Sequence, residues 1–180
     1  VMANPSLLAS VADVRQLSFA DDSMELIISN STLDHFQQAE EIERSLAELR
    51  RVLAPGGLLL VTMDNPWNPV VAFRNRLPKS LLGRSSLAPY FVGHTYSLTE
   101  LKHALESHGL EVVRHGHLMH VPRIFFLHLC RLLRPSGVVG RPLLRCMLAA
   151  ERLAVWPTAP LTGHFAAVLA RKPQLESPAP

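Results

Sequence analysis

The 180-residue sequence is poor in cysteine, in charge and in long apolar runs, and each shortage excludes a class of protein. Its two cysteines, Cys130 and Cys146, form neither a disulfide framework nor a close-spaced metal or redox pair, so a reduced, cytoplasmic protein is expected. Apolar stretches such as Leu58 to Val61 and Ile124 to Leu127 fall far short of the ~20 residues that span a bilayer, so no transmembrane helix is expected. The first ten residues have neither a basic nor an apolar leader segment, and no signal peptide is expected either. A Gly-x-Ser-x-Gly elbow and a dinucleotide-binding glycine fingerprint are both missing, which argues against a hydrolase and a nicotinamide-dependent oxidoreductase. What is present is core material: 48% of residues are apolar and only 18% charged, the reverse of a chain too polar to offset its ordering entropy.

Charge is unevenly placed. Residues 1–111 carry 9 basic and 13 acidic side chains, whereas residues 112–180 carry 9 basic and 2 acidic ones. Most of the basic groups in that last third are arginines set among leucines and phenylalanines, a pattern of amphipathic helices with a basic face.

Local signals alternate between strand and helix. Residues 10–14 and Met24 to Ser29 read as strands, the latter with a Leu26-Ile27-Ile28 run that fits burial on both faces of a parallel sheet. Ile42, Leu46, Leu49 and Leu53 recur at helical spacing, and Pro55-Gly56-Gly57 stops that helix before the apolar strand Leu58 to Thr62. Asp64 to Tyr96 reads as an irregular lid or pocket segment, too long for a passive connector. Ser97-Leu98-Thr99-Glu100 is a capping box, Gly109 ends the helix it starts, and a strand begins at Leu110. Pro122 at a helix start, helices at about 123–134 and 141–156, a strand from His164 to Ala170 and a Pro-rich tail complete the chain.

Three segments, Asp13 to Phe19, Asp22 to Glu25 and Ser29 to Phe36, together resemble the class I S-adenosylmethionine-dependent methyltransferases of the small-molecule type. Leu46 to Leu60, with its Pro-Gly-Gly turn, is similar to that family's helix and fifth strand, and His94 to Leu101 with His108 to Val112 to its segment before the sixth strand. The resemblance implies an α/β, Rossmann-like methyltransferase sheet of order 3-2-1-4-5-7-6. It also implies that the family's first two strands, its glycine-rich cofactor turn and its ribose-binding acid would all precede residue 10. A fragment is therefore expected, with strands 3–7 present in a partial domain over residues 1–172, a helical insertion at about 123–156 and a disordered tail at 173–180. The activity of such a chain would be in doubt, and a non-catalytic or degenerate methyltransferase-like partner is the alternative.

By the same resemblance, Asp13 and Val14 would meet the adenine of S-adenosylmethionine, and Ser29, Asn30 and Ser31 its methionine part, with Leu33 packed nearby. His35 would be the base that takes a proton from the acceptor, its ordinary pKa lying near neutrality, or else a helix-start histidine bonded to backbone. Asp34 would orient His35, or else favour the amino end of the following helix through the dipole. Asp64, Asn65, Trp67 and Asn68 stand where family members line the acceptor pocket, and Tyr90, His94 and Tyr96 would close over a small-molecule acceptor. His115, His117 and His120 suggest zinc, but no Cys, Asp or Glu stands at ligand spacing and methyl transfer needs no metal, so none is expected. Arg131 and Arg134 among Phe125, Phe126 and Leu129 would suit an anionic bilayer and a lipid-like acceptor, or a cap on the sheet, or a dimer surface. Nucleic acid is not expected as a partner, because no basic groove with stacking residues is present.

Overall fold

The computed structural model describes residues 9–76, 93–121 and 137–174. Its centre is a sheet of β1 (Met24–Asn30), β2 (Leu53–Asp64), β3 (Glu111–Leu118) and β4 (Phe165–Arg171) in the order β1-β2-β4-β3. β1 and β2 run parallel, whereas β4 is antiparallel to both β2 and β3. This matches the 4-5-7-6 part of the strand order that the resemblance implies. The helices are α1 (Ala39–Val52), α2 (Pro69–Arg76), α3 (Leu98–Ser107), α4 (Gly137–Ala150) and α5 (Ala159–Thr162), with 3-10 turns at Leu33–His35 and Glu151–Val155.

The apolar stripe of α1 buries Ile42, Leu46 and Leu49, and α3 buries Leu101, Ala104 and Leu105 against the same sheet face. Alternation along the strands supplies the other half of that core: Leu59, Val61 and Met63 from β2, Val168 and Ala170 from β4. The capping box of α3 forms as expected, with Ser97 Oγ accepting from the Glu100 amide and Glu100 accepting from the Ser97 amide. Gly109 ends that helix at φ +71°, a conformation a side chain resists. Pro55-Gly56-Gly57 does not precede the strand, as expected, but lies within β2, where the register with β1 shifts; there a Cβ on Gly57 would stand 2.8 Å from the Ala54 carbonyl oxygen, so only glycine lets the chain pass this close.

Several expectations change. Residues 10–14 form no strand; Asp13 and Gln16 make an isolated bridge across a tight turn, and no neighbouring strand offers residues 9–14 a ladder to pair with among the described residues. Leu26 and Ile28 are not buried on both faces but 58% and 61% exposed, because helices cover one face of β1 and nothing described covers the other. The stretch after Asp64 is irregular only in part, since α2 forms within it. The last expected helix starts earlier, at Gly137, and tightens into the 3-10 turn from Glu151. The helix expected at 123–134 and the tail beyond residue 174 lie outside the described residues.

Candidate functional site

Because β1 and β2 are parallel, their carboxyl ends lie side by side, and a bonded pair joins them. Thr62 Oγ1 donates to Asn30 Oδ1 at 2.8 Å and accepts from the Ser31 amide at 3.0 Å. Ser31 itself sits at φ +47°, turning the chain sharply off the end of β1. Ser29, one residue inside the strand, is 6% exposed and its hydroxyl has no partner there. A buried polar atom without a partner carries a desolvation penalty.

Behind these ends lies a buried polar network. Asp34, 1% exposed, accepts through Oδ2 from the Ser31 hydroxyl at 2.9 Å and from the Asp64 amide at 3.0 Å, while its Oδ1 has no partner. Burial, and then the neighbouring charge of Asp64, push the Asp34 carboxyl up from its ordinary range. This corrects the dipole reading: Asp34 points inward, locking the end of β1 to the end of β2. Asp64 is paired at 2.6 Å with Arg74 of α2, and both are buried. His164 Nε2 lies 3.5 Å from Asp64 Oδ1, and the Thr95 hydroxyl donates to the Asp64 carbonyl. Arg74 supplies the opposite charge without which a buried carboxylate pair would be strongly unfavourable.

The remaining expected residues divide. Asn65 and Asn68 are buried and committed: their amides donate to the carbonyls of Pro160, Thr162 and Gly163, fastening the start of α2 to α5. Trp67 between them is 64% exposed. The amides of Gly93 and His94 donate to the carbonyls of Asp34 and Phe36, which brings His94 beside the exposed His35. Tyr96 stacks edge-on to His94 at 5.3 Å, but its hydroxyl donates to Glu43 of α1 at 2.8 Å rather than facing the strand ends. Burial and that carboxylate push the Tyr96 phenol up. Tyr90 lies outside the described residues.

Asp13 is exposed, and Arg15 occupies both of its carboxylate oxygens, at 2.6 to 3.1 Å, which lowers its pKa to about 2. Arg15 also reaches Glu41 at 2.6 Å and lies over the Phe36 ring. Val14 packs half-buried against the core and Leu33 belongs to it outright. Of the histidine trio, His120 bonds Thr162 through Nδ1 at 2.7 Å and the His117 carbonyl through Nε2 at 3.1 Å. A cleft of about 390 Å³ runs between β3, Leu60, Leu169 and the 3-10 turn at Ala154 and Val155, and none of the expected site residues lines it.

Arg74, His164 and the inward Asp34 were not among the expected site residues. Asp64 and His164 are far apart in sequence, so no spacing rule could pair them. A single charged residue in the otherwise apolar start of α2 is the only signal that pointed to Arg74.

A profile of the family described as "Methyltransferase domain" matches residues 3–61. A protein of Encephalitozoon cuniculi named as a methyltransferase is 27% identical over 115 residues, spanning 58% of this chain and 52% of that one. A malonyl-[acyl-carrier protein] O-methyltransferase of Coxiella burnetii is 43% identical over 56 residues, 31% of this chain and 19% of that enzyme. The chain thus spans about half or less of these relatives. In fold, a S-adenosylmethionine-dependent methyltransferase from Methanosarcina mazei superposes with TM-score 0.56 at 17% identity, over 92% of this chain and 67% of that one. The [4+2]-cyclase SpnF does so with TM-score 0.54 at 20% identity, over 92% and 57%. Residues 3–61 are thus similar to the family described as "Methyltransferase domain", and the open α/β sheet has the fold of S-adenosylmethionine-dependent methyltransferases.

Proposed function

We propose that this chain binds S-adenosylmethionine at the carboxyl ends of β1 and β2 and serves methyl transfer to a small, lipophilic acceptor by in-line displacement. The observation that carries the reading is the buried, unpartnered Ser29 hydroxyl beside the left-handed Ser31, at the edge where open α/β sheets take their ligands. The residues present fit that cofactor. Ser29, Asn30 and Ser31 would hold its methionine part, Val14 and Leu33 would supply apolar contact, and Asp13 would accept from the purine amine once Arg15 yields one of its bonds. Exposure of both partners makes that exchange inexpensive. When bound, the cofactor supplies an electrophilic methyl group on a sulfonium centre.

The chain's own residues then align, exclude water and move a proton. His35, at the rim beside His94, is positioned to take the acceptor's proton, and the Trp67 ring offers an apolar contact. Asn65 and Asn68 act by holding α2 in place. The acceptor pocket is shaped indirectly by the Asp34–Asp64–Arg74 network. We place the protein in the cytoplasm and peripheral to a membrane; among the described residues no helix is long and apolar enough to cross one.

A second reading is a non-catalytic or degenerate methyltransferase-like partner, in keeping with the capture of both Asp13 carboxylate oxygens by Arg15. That the [4+2]-cyclase SpnF shares the fold also shows that the fold alone does not determine the reaction. Calorimetric titration with S-adenosylmethionine and S-adenosylhomocysteine separates the two. Methyl transfer requires micromolar or tighter binding that Asp13→Ala weakens on the order of 10-fold, the loss of a hydrogen bond to a charged group. No binding of either nucleoside favours the partner reading, and equal binding by the variant moves the purine contact away from Asp13.

A further inference from the structure

Arg141, Arg145 and Arg152 find no use in the sheet, the core or the strand-end network. On α4, Arg141, Leu144, Arg145 and Leu148 stand at i, i+3, i+4 and i+7 and share one face, with both arginines exposed and the leucines 54% and 61% exposed. The 3-10 turn that follows continues this surface with exposed Arg152, Val155 at 87% and Trp156 at 59%. Among the described residues no acidic side chain pairs with Arg141, Arg145 or Arg152. The single acid between residues 137 and 163, Glu151, is turned away: its carboxylate accepts from the amides of Met119 and His120 at 3.2 and 3.1 Å. The surface is therefore apolar and cationic at once, with its one acid spent internally.

A second apolar stripe lies on α2. Trp67, Val70 and Phe73, spaced three apart along α2 and its approach, are 64%, 43% and 65% exposed. The Asn65 and Asn68 amides tie this stripe to residues 160–163, where Leu161 is 54% exposed. The second stripe thus follows the carboxyl end of β2, where the acceptor site has been placed, and the first is tied through Glu151 to the end of β3, one strand beyond β4 in the same sheet.

We propose that this combined surface docks on an anionic phospholipid bilayer, its leucines and tryptophans entering the headgroup boundary while the arginines meet lipid phosphates. Large apolar side chains interleaved with unpaired cations are the composition that interfacial helices use, and long arginine stems reach phosphate while their methylenes stay in the apolar layer. Docked in this way, the chain turns the carboxyl end of its sheet towards the membrane, so that an amphiphilic acceptor enters from the bilayer. This last point rests on the methyl-transfer reading; the docking does not.

Co-sedimentation of the whole chain with vesicles tests it, using phosphatidylcholine alone and phosphatidylcholine mixed with phosphatidylglycerol. Binding to the mixed vesicles alone, weakened by added salt, is expected. The triple variant Arg141→Gln, Arg145→Gln, Arg152→Gln loses roughly 100-fold in vesicle affinity, at about 1 kcal/mol per basic side chain. Leu144→Asp with Leu148→Asp also abolishes binding. All variants keep the thermal midpoint of the parent chain, as exposed positions should, and keep its nucleoside affinity, so a failure of docking is distinguishable from a failure of the methyl-transfer reading. Equal binding to neutral vesicles, indifference to the arginine changes, or absence of vesicle binding would overturn the proposal. So would a dimer in sedimentation that the leucine changes dissociate, or tighter binding of RNA than of anionic vesicles.

Discussion

The two faces of this sheet are built from similar residues and end up in opposite surroundings. On the helix-covered face Leu59, Val61, Met63 and Val168 are completely buried under α1 and α3. On the other face, Leu26 and Ile28 of the same β1–β2 pair stay more than half exposed. Residue type therefore does not determine which side becomes core; the presence of a covering helix does. At ~25 cal/mol per Å² of apolar surface, a leucine without a cover contributes little of the ~1.5–3 kcal/mol that full burial provides. The polar network at the strand ends lies at the rim of both faces, and it holds the geometry that the helices alone do not.

The comparison can be broken at its most costly point first. Arg74→Met leaves Asp64 buried without its cation and should cost ~3–5 kcal/mol in urea unfolding. A smaller loss would mean that His164 replaces it. Leu46→Ala, beneath the covered face, should cost ~2–5 kcal/mol by the same measurement. Ser97→Ala should remove ~1 kcal/mol by uncapping α3. Ile28→Ser, on the open face, should change stability by no more than ~0.5 kcal/mol. If Ile28→Ser costs as much as Leu46→Ala, the open face is covered in solution and the comparison fails.

Asp34 sharpens the account through pH. Its carboxyl is raised in the folded state, so the protonated form is favoured there. That stabilisation is complete below the unfolded carboxylate range and is lost as pH rises through the folded value. Asp34→Asn, which keeps an oxygen for Ser31 and the Asp64 amide without the charge, should flatten the pH dependence above the ordinary carboxyl value of ~4 relative to the parent chain. Asp34→Ala should destabilise throughout, because it strands both donors.

Much of this fold could be read from local chemistry. The Ile42–Leu46–Leu49 stripe, the Ser97–Glu100 box and Gly109 each act within a few residues, so the chain declares them directly. Pro55-Gly56-Gly57 marks the end of α1 but not the start of β2, which begins at Leu53 and shifts register across the glycines. The strand-end network was illegible because its members, Asp34, Asp64, Arg74 and His164, meet only after the sheet forms. The capture of Asp13 by Arg15 two residues on was not legible, since a turn rather than the expected strand forms there. The exposure of Leu26 and Ile28 was hidden for a different reason: an apolar run signals a strand, and only tertiary cover decides whether it is buried.

The central claim is that the nucleoside sits at the carboxyl ends of β1 and β2, between the Asp13 turn and Ser31. Ultraviolet cross-linking of S-adenosylmethionine labelled in its methyl group, followed by peptide mapping, tests this most directly. Label confined to peptides spanning residues 9–36 is predicted. Label concentrated in the cleft between β3 and residues 154–155, or competed equally by unrelated nucleotides, would contradict it.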